Sequence, residues 1–235
     1  MVSQLLFGEG YEITEETSAW YNILTQFDHY AGWIDKKLFS PVSDEYFKNL
    51  EQGSYSVLSI PVARIEAPDG SALYITAGST LGKKTEKGIV TIDTLSFRYT
   101  DPVSEPGIPS DHSIAEFAKQ FLNSPYLWGG RSVFGLDCSG FTQIVYKIHG
   151  TSLPRDASQQ AAVGKSISNP EEIREGDLVF FGDDKSDVVH VGLALPPDRI
   201  IHCSGKVRID RLDEKGIFNQ QTGAYTHRLH SVRRI

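Results

Sequence analysis

The chain has 235 residues, 40% of them apolar and 23% charged, and a formal net charge of −7 at pH 7. This length holds one large or two modest domains with an ordinary buried core. The acidic balance argues against nucleic acid as a partner and against simple charge-driven adhesion to anionic polymers. No apolar run approaches the roughly 18 residues of a membrane-spanning helix, so no membrane partner is expected. At the start, Met1 to Gln4 carry no basic region, and Leu5-Leu6-Phe7 is too short for the apolar core of a leader. The expected location is cytoplasmic if Met1 is the native start, and periplasmic or extracellular if a leader was removed. Cys138 and Cys203 are the only cysteines and read as thiols, compatible with a reducing compartment.

Residues 1–100 read as all-β. Short runs rich in Val, Ile, Tyr, Trp and Thr alternate with Gly, Pro, Asp and Asn. The runs lie at 18–24, 55–62, 73–76 and 88–93, and 43–50 can form a helical turn. The segments Gln4-Leu5-Leu6-Phe7-Gly8-Glu9, Trp20-Tyr21-Asn22-Ile23 and Tyr30-Ala31-Gly32-Trp33-Ile34 resemble a bacterial SH3-like barrel. The resemblance covers 1–40 well, and the length to residue 100 implies an elaborated barrel. Residues 101–112 are a linker that Pro102, Pro106 and Pro109 make extended and stiff.

The second domain, 113–235, opens with a helix capped by Ser113 and Glu116. Its apolar stripe is Ile114, Phe117, Ala118, Phe121 and Leu122. A second helix is predicted at about 138–149, because Phe141, Ile144, Val145 and Ile148 share one helical face and Gly150 ends the pattern. Strands are expected near 177–182, 189–195, 199–203, 206–210 and 227–233. The fold class is therefore α+β, with the second helix packed on an antiparallel sheet.

Asp137-Cys138-Ser139-Gly140-Phe141 opens that second helix. Unpaired N–H groups and the positive end of the helix dipole favour a thiolate there. Such positions lower a thiol pKa of about 8.5 to roughly 3.5–7.5. A nucleophilic cysteine needs a base, and the base needs an orienting group. His190 and His202 lie on two strands joined by the turn Pro196-Pro197-Asp198. One imidazole can take the thiol proton, and the other can set the first ring's tautomer. The hairpin register, and so whether the rings meet, is not contained in the sequence. Asp137 also reads as an Asp helix cap. Arg155 and Asp156 read as a structural ion pair. Cys203 reads as a small buried residue, and His29, His112, His149, His227 and His230 as surface or structural ones. Two histidines twelve residues apart make no short metal motif, and no glycine loop cradles a phosphate, so neither metal nor cofactor is expected.

Six segments also carry a family resemblance. They are Tyr126-Leu127-Trp128-Gly129-Gly130, the Asp137–Phe141 run, Leu153 to Gln160, Gly176-Asp177-Leu178-Val179-Phe180-Phe181, His190-Val191-Gly192 and His202-Cys203-Ser204-Gly205. In this order they resemble the NlpC-type cysteine peptidases, including the dipeptidyl-peptidase VI-like kind. The resemblance implies a papain-like cysteine peptidase domain preceded by the all-β SH3-like barrel. It implies Cys138 as nucleophile, His190 as base and His202 as the third group. The Cys138 N–H is the natural oxyanion donor, with Tyr126 as a second.

The resemblance further implies cleavage of murein tripeptides or tetrapeptides between γ-D-glutamate and the diamino acid, meso-diaminopimelate or lysine. Peptides with a free N-terminal L-alanine would be held by Asp137, Ser139 and Ser158, with Tyr30 reaching in from the barrel and Asp28 a weaker candidate. A hydrolase of intact wall peptides with a wall-targeting barrel, and a non-catalytic murein-peptide binding protein, are the competing readings.

Overall fold

The computed structural model describes residues 1–53, 55–82, 84–86, 88–99, 113–182 and 187–235. The linker expected over 101–112, with His112, lies outside the described residues. Tyr11–Glu16, Trp20–Thr25 and Ala31–Asp35 form an antiparallel three-stranded sheet. The helix Asp44–Glu51 follows, with the Ser43 hydroxyl accepting from the Tyr46 N–H. The expected strand over 55–62 divides in two. Ser56–Val57 pairs with Thr80–Leu81, and Val62–Glu66 joins a separate five-stranded sheet. Pro61 stands at the break, where the chain has no N–H to offer a ladder. Leu58, Ala63, Ile65, Ile75, Leu81, Val90 and Phe97 form the core of this region.

In the second half the helix Ile114–Lys119 starts at Ser113, whose hydroxyl accepts from Glu116. Ala115, Phe117, Ala118 and Phe121 are buried, whereas Leu122 is exposed, because the helix ends before it. The helix Cys138–Ile148 is buried along its whole length. It packs on an antiparallel sheet in the order Lys165–Ser166, Ala224–Arg234, Leu178–Gly182, Val188–Leu195, Arg199–Ser204, Lys206–Asp213 and Gly216–Asn219. Gly216–Asn219 also pairs with Ala224–Arg234, so six of these strands close on themselves. Alternation sorts the residues: Val191, Leu193, Ile201 and Cys203 join the helix core, and Val179, Phe181, Ala194 and Ile200 fill the other face.

The first nine residues tie the two halves together. Glu9 accepts two bonds from Arg131, both 2.8 Å, and one from Lys147 at 2.7 Å. Arg131 also donates to the Gln4 carbonyl, and its N–H to the Gln4 side chain. Lys147 reaches Thr80 as well, and lies over the Phe27 ring at 4.5 Å. Burial alone would raise the Glu9 carboxyl, but the charges of Arg131 and Lys147 bring it from 4.5 down to about 2. Lys147 is itself lowered, since burial and the like charge of Arg131 outweigh Glu9. The Arg131–Glu9 fork is therefore the stabilising member of the triad, and Lys147 the costly one.

A carboxyl whose folded pKa lies below its unfolded value stabilises the fold at pH above the unfolded value. That contribution is lost as pH falls through the folded value. For Glu9 the window runs from about pH 4.5 down to about 2. Urea denaturation of Glu9→Gln at pH 7 should show a loss of about 3 kcal/mol, shrinking in that acid window. An unchanged midpoint at pH 7 would contradict this.

Candidate active site

Asp137 is the N-cap of the helix that begins at Cys138, and its Oδ1 accepts from the Gly140 N–H at 2.6 Å. Glycine is required at 140 because a Cβ there would lie 2.2 Å from the Gly130 carbonyl oxygen. Arg155 donates to Asp137 through both nitrogens, at 3.1 and 2.6 Å, and Gly129 N–H donates to Oδ2 at 2.9 Å. Ser139 Oγ accepts from Arg155 at 2.9 Å and donates to Asp137 at 3.3 Å. Asp137, Ser139 and Arg155 are all buried. Five donors therefore converge on the Asp137 carboxylate. Asp137 and Ser139, the expected amine contacts, also hold the nucleophile loop together. The expected pairing of Arg155 with Asp156 is corrected, since the guanidinium turns inward to Asp137.

Cys138 is 9% exposed. Burial first, and the Asp137 charge second, push its thiol up to about 11, although the Val191 and Ser139 N–H groups and Arg155 oppose them. The expectation of a depressed thiol pKa fails here, because loss of water outweighs the helix terminus. The resting nucleophile is a thiol and needs its base. As the first helical residue, Cys138 has an N–H with no acceptor inside the helix, as an oxyanion donor requires. Tyr126 stands beside the thiol; burial and then the Cys138 charge raise its phenol to about 12, so it remains a donor.

The sheet carries the candidate base. Gly192 pairs with His202, so His190 lies two residues along from the partner of His202. A Cβ at 192 would come within 2.8 Å of the His202 Cβ, so the glycine makes room for that ring. His190 Nε2 and His202 Nδ1 are 2.8 Å apart, and His202 Nε2 is 3.0 Å from Asp210 Oδ2. The register left open by the sequence thus brings the two rings together. Asp210 accepts only, so His202 carries its proton on Nε2 and accepts at Nδ1. His190 then donates from Nε2, leaving Nδ1 as the free basic nitrogen. Burial, then the other histidines, hold His190 well below its usual pKa, so it is neutral and able to accept a proton.

Sequence reasoning missed Asp210. Its only signal is a carboxylate on the strand after His202, two positions beyond the partner of that histidine. His227, read as surface or structural, is half-buried, and its ring stacks on His190 at 4.2 Å. Cys203 is buried and donates to the Leu136 carbonyl, and both cysteines are free thiols. Tyr30 Oη lies 3.4 Å from Asp156 Oδ1, while Asp28 accepts from Gln143 of the catalytic helix at 2.8 Å. Ser158 is exposed on the helix Ala157–Gln160. Among the described residues no helix is long and apolar enough to cross a membrane, and no three His, Cys, Asp or Glu side chains gather as metal ligands.

Residues 123–226 match the NlpC/P60 family, and residues 1–37 match the bacterial dipeptidyl-peptidase SH3 domain. A γ-D-glutamyl-L-lysine dipeptidyl-peptidase of Bacillus subtilis is 31% identical over 220 residues, covering 85% of this chain and 71% of the relative. The chain belongs to the NlpC/P60 family. It is a cysteine peptidase with an N-terminal SH3-like domain. A protein of the same name from Bacillus cereus is 26% identical, covering 94% of this chain and 74% of its own. The crystal structure of an NlpC/P60 family protein from Bacillus cereus superposes with a TM-score of 0.81 at 23% identity, covering 99% and 81% of the two chains. An NlpC/P60 endopeptidase from Photobacterium damselae gives 0.72 at 19% identity, covering 98% of this chain and 62% of the other. These two structures share the papain-like fold.

Alkylation of this NlpC/P60 peptidase by iodoacetamide should show two rises with pH. The lower follows loss of the His190 proton, and the upper follows thiol ionisation near pH 11. His190→Ala should remove only the lower rise, as intact-mass kinetics would show. Asp210→Asn should lower kcat about 10–100-fold with little change in KM, through loss of the tautomer it dictates. Unchanged kcat would sink that role.

Proposed function

We propose that this peptidase hydrolyses the γ-D-glutamyl–diamino acid bond of murein peptides that carry a free N-terminal L-alanine. The observation that carries the reading is the Tyr30–Asp156 contact. Asp156 follows Arg155, which holds Asp137 and Ser139 on either side of the nucleophile. Unlike Asp137, it is half-buried, and its side-chain neighbour across the domains is a phenol at 3.4 Å. A half-buried carboxylate at the margin of a peptidase site is suited to an ammonium. Asp156 therefore joins Asp137 and Ser139 as a group that would hold the amine. Tyr30 comes from the N-terminal domain, so that domain bounds the site at the amine end. A loop seated there accommodates a peptide terminus better than a chain that continues. The names of the Bacillus relatives, γ-D-glutamyl-L-lysine dipeptidyl-peptidases, support the bond assigned.

In the reaction, His190 Nδ1 takes the Cys138 proton as sulfur adds to the γ-carbonyl of D-glutamate. The Cys138 N–H, with the Tyr126 hydroxyl, receives the developing oxyanion. His190 returns the proton to the leaving amine of the diamino acid. Water, deprotonated by His190, then cleaves the thioester, and the thiol regains its proton. Peptides already released from the wall are the expected substrates, which suits their recycling.

L-Ala-γ-D-Glu-meso-diaminopimelate, its L-lysine counterpart and both N-acetylated forms should be compared by product mass, with Cys138→Ala as control. Only the free peptides should be cleaved. Asp156→Asn should lower kcat/KM for them about 10²-fold through loss of the charge-assisted contact. Equal cleavage of free and acetylated peptides would overturn amine recognition, and digestion of intact sacculi would point to wall hydrolysis.

A further inference from the structure

We propose that His227 is a positioning residue that stacks on the catalytic base and keeps the His190 ring in the plane from which it takes the thiol proton. The inference rests on the cysteine–histidine chemistry and is independent of which peptide is cleaved. His227 lies on the strand Ala224–Arg234, opposite Ile217 and two strands away from His190. Sheet closure around Leu178–Gly182 brings it across. The rings are 4.2 Å apart and inclined by 25°, a stacked pair. His202, by contrast, meets His190 edge-on, at 5.0 Å and 84°. Phe181 adds a third ring, 5.9 Å from His190 and 6.0 Å from His227.

The edge-on and stacked contacts do different things. A hydrogen bond through Nε2 fixes one atom of His190 but lets the ring rock about that bond. Rocking would change the direction in which Nδ1 points. A parallel ring on one face removes that freedom, and proton transfer is steep in alignment. The stack must also remain uncharged, because two imidazolium rings in contact repel strongly. The charged or titratable groups facing His227 are His190, His202 and Asp210, all from strands that do not pair with its own. Burial and His202 hold His227 down at about 4, against the pull of Asp210. It therefore stays neutral when His190 becomes an imidazolium during the reaction. Thr226 Oγ lies 2.9 Å from its Nδ1 and anchors the ring from its own strand.

The test uses Cys138 alkylation, so that it stands apart from the substrate reading. Full-length wild type, His227→Ala and His227→Phe would be followed by iodoacetamide kinetics and intact mass from acid to alkaline pH. His227→Ala should lower the base-assisted rate of the lower rise about tenfold and leave the alkaline thiolate rate unchanged. His227→Phe keeps a flat ring on His190 and should restore the base-assisted rate to within about twofold of wild type. A structural defect alone would depress both regions and the melting temperature together. If His227→Ala matches wild type at every pH, the proposal fails. It also fails if His227→Phe falls as far as His227→Ala while melting like wild type, or if wild type lacks the lower rise. Failure of the murein peptides as substrates, with this pattern intact, would remove the substrate reading and leave His227 in place.

Discussion

The fork between Arg155 and Asp137 is the interaction on which the site depends. Its two bonds, at 3.1 and 2.6 Å, are buried directly beneath the nucleophile. Asp137 caps the catalytic helix, receives the Gly129 N–H and binds Ser139, so one carboxylate joins loop, helix and the 153–160 segment. Arg155 also donates to Ser3, which brings the first residues of the chain into the same network. An isolated buried charge is costly, and removal of one partner of such a pair typically costs about 3–5 kcal/mol. The fork therefore explains why Asp137 and Arg155 must occur together.

The thiol and its base are tuned by the same physical cause, removal of water. Burial raises Cys138 and lowers His190, so both rest uncharged. A charged pair would need solvation that the site does not offer. Proton transfer is instead prepared by direction. Asp210 orders the protons along His202 and His190, and Arg208 holds Asp210 from the other side at 2.9 Å. Neutral rings can also stack, which ionised ones cannot do without cost. The acid–base chemistry and the packing of the histidines are therefore one arrangement.

The N-terminal domain is built into the catalytic one. Glu9 with Arg131 and Lys147, Asp28 with Gln143, and Tyr30 with Asp156 all cross between the two. The first of these holds Arg131, in the short hairpin that leads to Asp137. Anchoring the domain at Glu9 also sets the place of loop 25–30, where Thr25 donates to Asp28 and binds the Tyr30 N–H. The same contact that stabilises the interface thus decides what lies at the edge of the site.

The nucleophile, its helix and the two catalytic strands were legible in the sequence by itself. Each depends on local signals: a 3.6-residue apolar period ended by Gly150, and strands bounded by a Pro-Pro-Asp turn. Cys138, His190 and His202 were singled out as candidates by residue type, order and the family resemblance. What only the tertiary structure decided was partnership and charge. Asp137 reads as a cap or as a ligand, and only the fold shows Arg155 against it. The contacts of Asp156, Asp210 and His227 were not legible, because the partners lie 126, 8 and 37 residues away along the chain. The thiol pKa was misjudged for the same reason. A helix terminus is visible in sequence, whereas the burial that outweighs it is a sum over the whole fold.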